Sequence, residues 1–200
     1  MVRCLEREGY DVTYGTNLDT ARRGALLKNH RSFLSIGHDE YGSWDMRTNV
    51  ENARAAGVSL GFFAGNICYW QIRLEPSVVH STQADRTIVG YKELYKNDPY
   101  YTDTDKTNDK YVTNLWRAAP VNKPEDALVG VMYIKDPVDS DIVIDNVTAA
   151  PWVFDNTGLR AGGHLFGLLG YEVDAMGTHT PTGTVRLGHS PFLNGTATQY

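Results

Sequence analysis

The sequence predicts an α/β fold wound around a mostly parallel sheet, and three observations in its first half carry that prediction. Short, nearly uninterrupted apolar runs alternate with segments of helical spacing, polar loops follow the runs, and glycine closes the helical segments before the next run begins. Strands of continuous apolar character that alternate with helices belong to parallel sheets covered on both faces.

Val2 and Leu5, ended by Gly9, read as the last turns of an amphipathic helix. The chain therefore opens inside a helix and reads as a fragment lacking the strand with which an α/β domain ordinarily begins. Residues 11–14 (DVTY) are expected to form a short strand, after which Asn17 caps an Ala- and Leu-rich helix running through Leu27. The apolar run at 32–37 is expected to be a buried strand. Ser43 suits a helix N-cap, and Asp45 lies in the first turn, where the helix dipole favours an acid. Met46, Val50 and Ala53 recur at helical spacing until Gly57. Residues 58–64 follow as a second buried strand. Residues 70–74 and 86–91 alternate in the manner of strands added antiparallel at a sheet edge, and 127–133 and 165–171 are further strand candidates. The low-aliphatic stretch 91–125, with its long polar loop at 98–114, is expected to be an insertion or lid on one domain spanning 1–200.

Composition narrows the function. The chain has 200 residues, and 19 basic against 24 acidic side chains give a net charge of -5, so no basic face is offered to nucleic acid. No run approaches the roughly 18 apolar residues that a membrane-spanning helix needs. Two cysteines, Cys4 and Cys68, are too few for a disulfide framework or a four-cysteine zinc site. The first residues carry acids and no apolar run, unlike a signal peptide, and the expected compartment is the cytoplasm.

Ligands of an open parallel sheet bind outside the carboxyl ends of its strands. Two loops leave strands there. The first, residues 37–43, places His38, Asp39, Glu40 and Tyr41 in consecutive positions. Carboxylate, phenol and imidazole donors suit a hard or borderline cation such as iron, or acid/base work. The competing reading makes Asp39 or Glu40 a cap for the following helix, with His38 bonded to the backbone. The second loop, 65–70, sets Tyr69 and Trp70 behind Asn66 and Cys68, and there a cleft wall competes with a cysteine nucleophile.

Other matches fail on context. Residues 57–61 (GVSLG) fit the serine-hydrolase pattern, but that pattern needs a strand-to-helix turn and this serine enters a strand. Asp103, Asp105, Thr107 and Asp109 resemble a calcium loop without its glycine or closing glutamate. His164, His179 and His189 lack metal-ligand spacing.

Taken jointly, the residues resemble a known family. Residues 37–41 (GHDEY), Met46-Arg47 with Val50, Glu51, Ala53 and Arg54, residues 56–58 leading into 61–63, Asn66 with Tyr69, Trp70 and Arg73, residues 124–130 and residues 167–174 together resemble the C-terminal domain of the N,N-dimethylformamidase large (beta) subunit family. The resemblance covers nearly the whole chain. It implies a glutamine-amidotransferase-like, flavodoxin-type three-layer α/β sandwich and metal-assisted hydrolysis of a small linear amide, with other domains or subunits of a parent protein as partners. It also implies iron held by two tyrosines and the glutamate of a His-x-Glu-Tyr motif. That motif makes Glu40 the ligand, with His38 as its partner or proton acceptor and Tyr41 beside them. The two iron tyrosines lie upstream of the motif in the family, outside this chain. Asn66, Tyr69 and Glu172 are expected to line the cleft with Asp39. Two departures stand out: Gly42 occupies a position where the family commonly has tryptophan, and the upstream metal ligands are missing. Asn66, not cysteine, follows Gly65, which speaks against the nucleophile of the wider amidotransferase-like fold. The alternative readings are a non-catalytic module that binds a small ligand or docks a partner, and a cysteine hydrolase using Cys68 with His38.

Overall fold

A computed structural model describes residues 1–200 and divides the chain into two compact units. The first comprises Met1–Ala64 with Trp70–Asn122, and the second Gly65–Tyr69 with Lys123–Tyr200.

In the first unit, α1 (Val2–Arg7) is followed by residues 11–14, which form no strand, contrary to expectation. A strand needs a ladder partner, and Tyr14 instead turns into solvent and donates its hydroxyl to Glu6. The next helix, α2 (Asn17–Arg22), is capped by Thr16 in place of the expected Asn17. The Thr16 hydroxyl accepts from the Asp19 N–H, and the Asp19 carboxylate accepts from the Thr16 N–H, a reciprocal capping box. α-Helix ends at Arg22, and 3-10 geometry takes over at Gly24–Asn29. The cause is Asn49, whose amide donates to the carbonyls of Thr20 and Ala21 at 2.9 Å each. Those are the acceptors a continuing α-helix would use.

Strands β1 (Ser32–Ile36) and β2 (Tyr41–Ser43) precede α3 (Trp44–Ala55), followed by β3 (Ser59–Phe63), β4 (Trp70–Glu75) and β5 (Thr87–Val89). β1 pairs parallel with β3, β2 pairs parallel with β4, and β4 pairs antiparallel with β5. The parallel β1–β3 pair and the antiparallel β4–β5 pair follow the sequence reading, but residues 41–43, read as loop, form β2, and residues 70–72 of the 70–74 run, read as an antiparallel edge, pair parallel with it. Burial of the β1 and β3 strands does not follow the reading either. Leu34, Ile36 and Phe63 stay exposed, because burial on both faces requires layers on both faces and this sheet has two strands only. The interior forms around α3, which buries Met46, Arg47, Val50 and Ala53. Trp116 is fully buried, stacks on Trp44 at 6.0 Å and carries the Arg47 guanidinium 4.8 Å from its ring centroid. The stretch read as an insertion or lid thus delivers Trp116, together with Val112 and Val121, to the interior, after the one-turn helix α4 (Pro99–Thr102).

The second unit is built on antiparallel strands: α5 (Asp126–Val129), β6 (Met132–Ile144), α6 (Pro151–Phe154), β7 (His164–Ala175), β8 (Gly188–Phe192) and β9 (Gly195–Gln199). The sheet order is β7-β6-β8-β9. Residues 127–133, expected as one strand, divide into α5 and the start of β6. Gly130, at φ +89°, ends the helical turn, and a side chain there would meet the Tyr200 ring. A short buried apolar run satisfies either element, so periodicity alone did not separate them. Val138, Val173 and Ala197 form the small core of the sheet, with Leu169 and Phe192 packed against them. The architecture is mixed α/β, with open parallel and antiparallel sheets. No helix is long and apolar enough to cross a membrane.

Candidate functional site

The predicted residues fall into two clusters, one in each unit. In the first, Gly37 takes φ +88° at the end of β1 and turns the chain into the acidic loop. Asp39 is tied down locally: its carboxylate accepts from the Ser35 hydroxyl at 2.7 Å and from the Asn17 amide at 3.3 Å. Glu40 lies 3.1 Å, through Oε2, from His38 Nε2, while its backbone carbonyl accepts from the Trp70 N–H at 2.9 Å. Its side chain is 16% exposed, against 56% for His38. Neither acid caps α3. That role belongs to Ser43, whose hydroxyl accepts from the Met46 N–H at 3.2 Å while Met46 Sδ accepts from the Ser43 N–H. Glu40 is therefore available for side-chain chemistry, and its Oε1 takes no hydrogen bond from the protein.

Tyr41 opens β2, and its phenol oxygen accepts a hydrogen bond from the Lys92 ammonium. Lys92 stands in left-handed backbone at φ +54°, with its N–H on the Thr113 carbonyl at 3.0 Å. Its ammonium is 4.8 Å from the Tyr41 ring centroid and 5.4 Å from that of Trp70. The Tyr41 hydrogen bond, opposed by burial and aided by the charges of Glu40 and Glu93, holds the Lys92 pKa above its ordinary value. Because Tyr41 accepts from Lys92, its own O–H must donate elsewhere. Sequence reading missed Lys92, which lies 51 positions from its partner in a segment without a motif. Lys92→Met, which keeps the stem and removes the charge, is expected to cost about 1 kcal/mol in urea unfolding, with Lys92→Arg recovering most of it. An unchanged midpoint would show the pair to be unformed.

In the second unit, Gly65 lies so close to β7 that a Cβ would sit 2.6 Å from the Glu172 carbonyl oxygen. Asn66 and Cys68 both adopt left-handed backbone, at φ +57° and +56°. Asn66 is buried, donates its backbone N–H to Asp174 at 2.9 Å and its amide to Glu172 Oε1 at 3.1 Å, and leaves Oδ1 buried without a partner. Glu172 and Asp174 point to one face of β7, as alternate strand residues do. Tyr69 packs edge-on against Tyr133 at 5.1 Å, and the Tyr133 hydroxyl donates to Asp136 at 2.8 Å. Burial, then the neighbouring Asp136 carboxylate, pushes the Tyr133 pKa well above the ordinary phenol value. Asn66 is thus joined to Glu172 and Asp174, and Tyr69 to Tyr133, of which sequence reading did not single out Asp174 and Tyr133.

The remaining candidates are accounted for locally. In the calcium-like stretch, the Asp105 and Thr107 N–H groups bond Asp103 and Asp105 at 2.9 Å each, an ordinary chain of polar turns. His164, His179 and His189 pair separately with Asp141, Asp126 and Asp145. No group of three or more His, Cys, Asp and Glu side chains gathers as a metal cluster.

The family described as N,N-dimethylformamidase beta subunit-like, C-terminal, matches residues 1–199. No curated protein matches the chain.

Proposed function

The chain belongs to the N,N-dimethylformamidase beta subunit-like, C-terminal family, and from that premise we propose that it serves metal-assisted hydrolysis of a small linear amide. The observation that carries this reading is the His38–Glu40 pair, a carboxylate excused from capping and held by an imidazole at 3.1 Å. The donor chemistry fits in part. Glu40 Oε1 is an unengaged hard oxygen of the kind iron accepts, but no third acid, histidine or cysteine converges on it. In this reading Glu40 is the ligand this chain contributes, and the remaining ligands come from outside these residues. Bound iron supplies Lewis acidity toward the amide carbonyl.

The chain's own residues handle the proton. In this reading the His38 imidazole, which faces Glu40 through Nε2, receives the proton at a ring nitrogen. That nitrogen takes a proton from water as the water oxygen bonds to the amide carbon, and the proton passes to the amine nitrogen as the C–N bond breaks. The products are an amine and a carboxylic acid. Tyr41, made a donor by Lys92, offers its O–H to an acceptor oxygen. In the second unit, Asn66 Oδ1 and the Glu172 carboxylate form an acceptor pair suited to an amide or ammonium N–H. We read the architecture as a glutamine-amidotransferase-like three-layer sandwich, supported by the parallel pairing of β1 with β3 and β2 with β4. We also place it in the cytoplasm, a setting in keeping with two cysteines, Cys4 and Cys68, that are not joined in a disulfide.

The test is bound iron and amine release from N,N-dimethylformamide, measured on the protein that contains this chain. Glu40→Ala is expected to lower both, the iron affinity by about tenfold or more. Unchanged iron and activity would leave the domain as a binding module.

A further inference from the structure

The second unit presents an apolar strip in predominantly acidic surroundings. β7 has a strand neighbour on one side only, and residues 166–168 bulge from its ladder, standing opposite Asp141 alone. Residues 165–171 of that strand carry no charged side chain. Phe166, Leu168 and Tyr171 are 83%, 63% and 63% exposed, and a shallow groove of about 530 Å³ runs beside them between Pro137 and Tyr171. An exposed apolar strip on an edge strand is a surface that either binds or aggregates. Between Met132 and Val185 stand seven carboxylates against only Lys135 and Arg160. Asp139 is opposite Gly170 in the register, and Asp141, which also meets His164 at 3.1 Å, holds the Gly167 N–H at 2.8 Å, so two of those carboxylates border the strip.

We propose that this strip docks a basic amphipathic segment of a partner polypeptide. The segment packs on the bulged stretch of β7, with its apolar side chains on Phe166, Leu168 and Tyr171 and its lysines or arginines over Asp139 and Asp141. Charge selects this occupant. A second copy of the chain would bring the same acidic border against itself, and like charges in close apposition oppose association. Aromatic and leucine anchors at the centre with charges at the margin match the usual anatomy of a protein–protein contact.

The probe is a short synthetic peptide alternating phenylalanine or valine with lysine, titrated by fluorescence anisotropy against the full chain, with a glutamate-for-lysine peptide as counterpart. The lysine peptide is expected to saturate and to weaken as salt rises, while the glutamate peptide does not bind. Leu168→Asp and, separately, Phe166→Ser are expected to weaken binding about tenfold or more, as loss of a central anchor does. Asp139→Lys should weaken it as well. Both strip residues are exposed, and circular dichroism checks that the variants fold. Equal affinity for the two peptides, or affinity unchanged in both strip variants, would overturn the proposal. So would a dimer in sedimentation that dissociates with Leu168→Asp, which would give the strip to a second copy.

Discussion

Asp98→Ala is expected to destabilise the first unit by about 2–4 kcal/mol, because it strips the buried Thr113 and Tyr100 donors of their acceptor and takes from Arg73 one of its two carboxylate partners, Glu75 at 2.7 Å being the other. Asp98 is fully buried. Its carboxylate accepts from Arg73 Nη1 at 3.1 Å, from the Thr113 N–H and hydroxyl at 2.9 and 2.8 Å, and from the Tyr100 N–H at 3.1 Å. The Arg73 side chain is 10% exposed and its guanidinium lies 3.9 Å from the Tyr100 ring centroid, so it cannot swing into water cheaply. One carboxylate therefore ties β4, α4 and the 111–114 segment together. Against a typical total stability of about 5–15 kcal/mol, the loss is large. Three of the four tryptophans, Trp44, Trp70 and Trp116, belong to this unit, so urea unfolding followed by tryptophan emission reads it directly. Asp98→Asn, which preserves shape and one acceptor, should cost less. Equal, small losses for both variants would show that the network carries little energy.

The same group fixes a pH dependence. Burial alone would raise the Asp98 pKa, but the Arg73 guanidinium and the Thr113 and Tyr100 donors outweigh it and hold the carboxyl below its ordinary value. A depressed folded-state pKa means that the stabilisation is complete above the unfolded carboxylate range, at about pH 4, and is lost as pH falls through the lower folded value. Asp98→Asn should flatten that acid limb.

The second large effect is on rate. His38→Gln is expected to lower kcat for amide hydrolysis by about 10²–10⁴-fold with KM little changed, the signature of a lost proton acceptor. Glutamine keeps an N–H donor toward Glu40 and removes the basic nitrogen, so it separates proton transfer from the support of the carboxylate. His38→Ala removes both and should also lower bound iron. Steady-state amine release with parallel metal analysis distinguishes the two variants. An unchanged kcat in His38→Gln would remove His38 from the chemistry.

Local rules made α3 legible: a serine cap, an acid in the first turn, apolar residues at helical spacing and a glycine stop are all contained within a short window. The β1–β3 parallel pair was legible for the same reason, since continuous apolar runs separated by a helix leave few alternatives, whereas three-residue β2 is too short to show a period and its pairing with β4 was not. The acidic loop was visible as a cluster, but whether Asp39 or Glu40 caps α3 stayed open in the sequence, and the structure gives the cap to Ser43. What failed was decided at a distance. Residues 11–14 alternate correctly but find no ladder partner. The end of α2 is set by Asn49, 28 and 29 positions away, and Asn66 meets Glu172 across 106. Such contacts leave no periodic trace in either segment, and the Lys92–Tyr41 pair is hidden in the same way.

The short Gly65–Tyr69 stretch sits inside the sequence of the first unit yet packs with the second. Its consequence is genealogical as much as mechanical: the two halves are not interchangeable cassettes. A recombination or truncation breakpoint after Asn122 would strip Asp174 of its Asn66 donor and Glu172 of its amide partner, so inheritance of the C-terminal half requires co-inheritance of a short upstream tract.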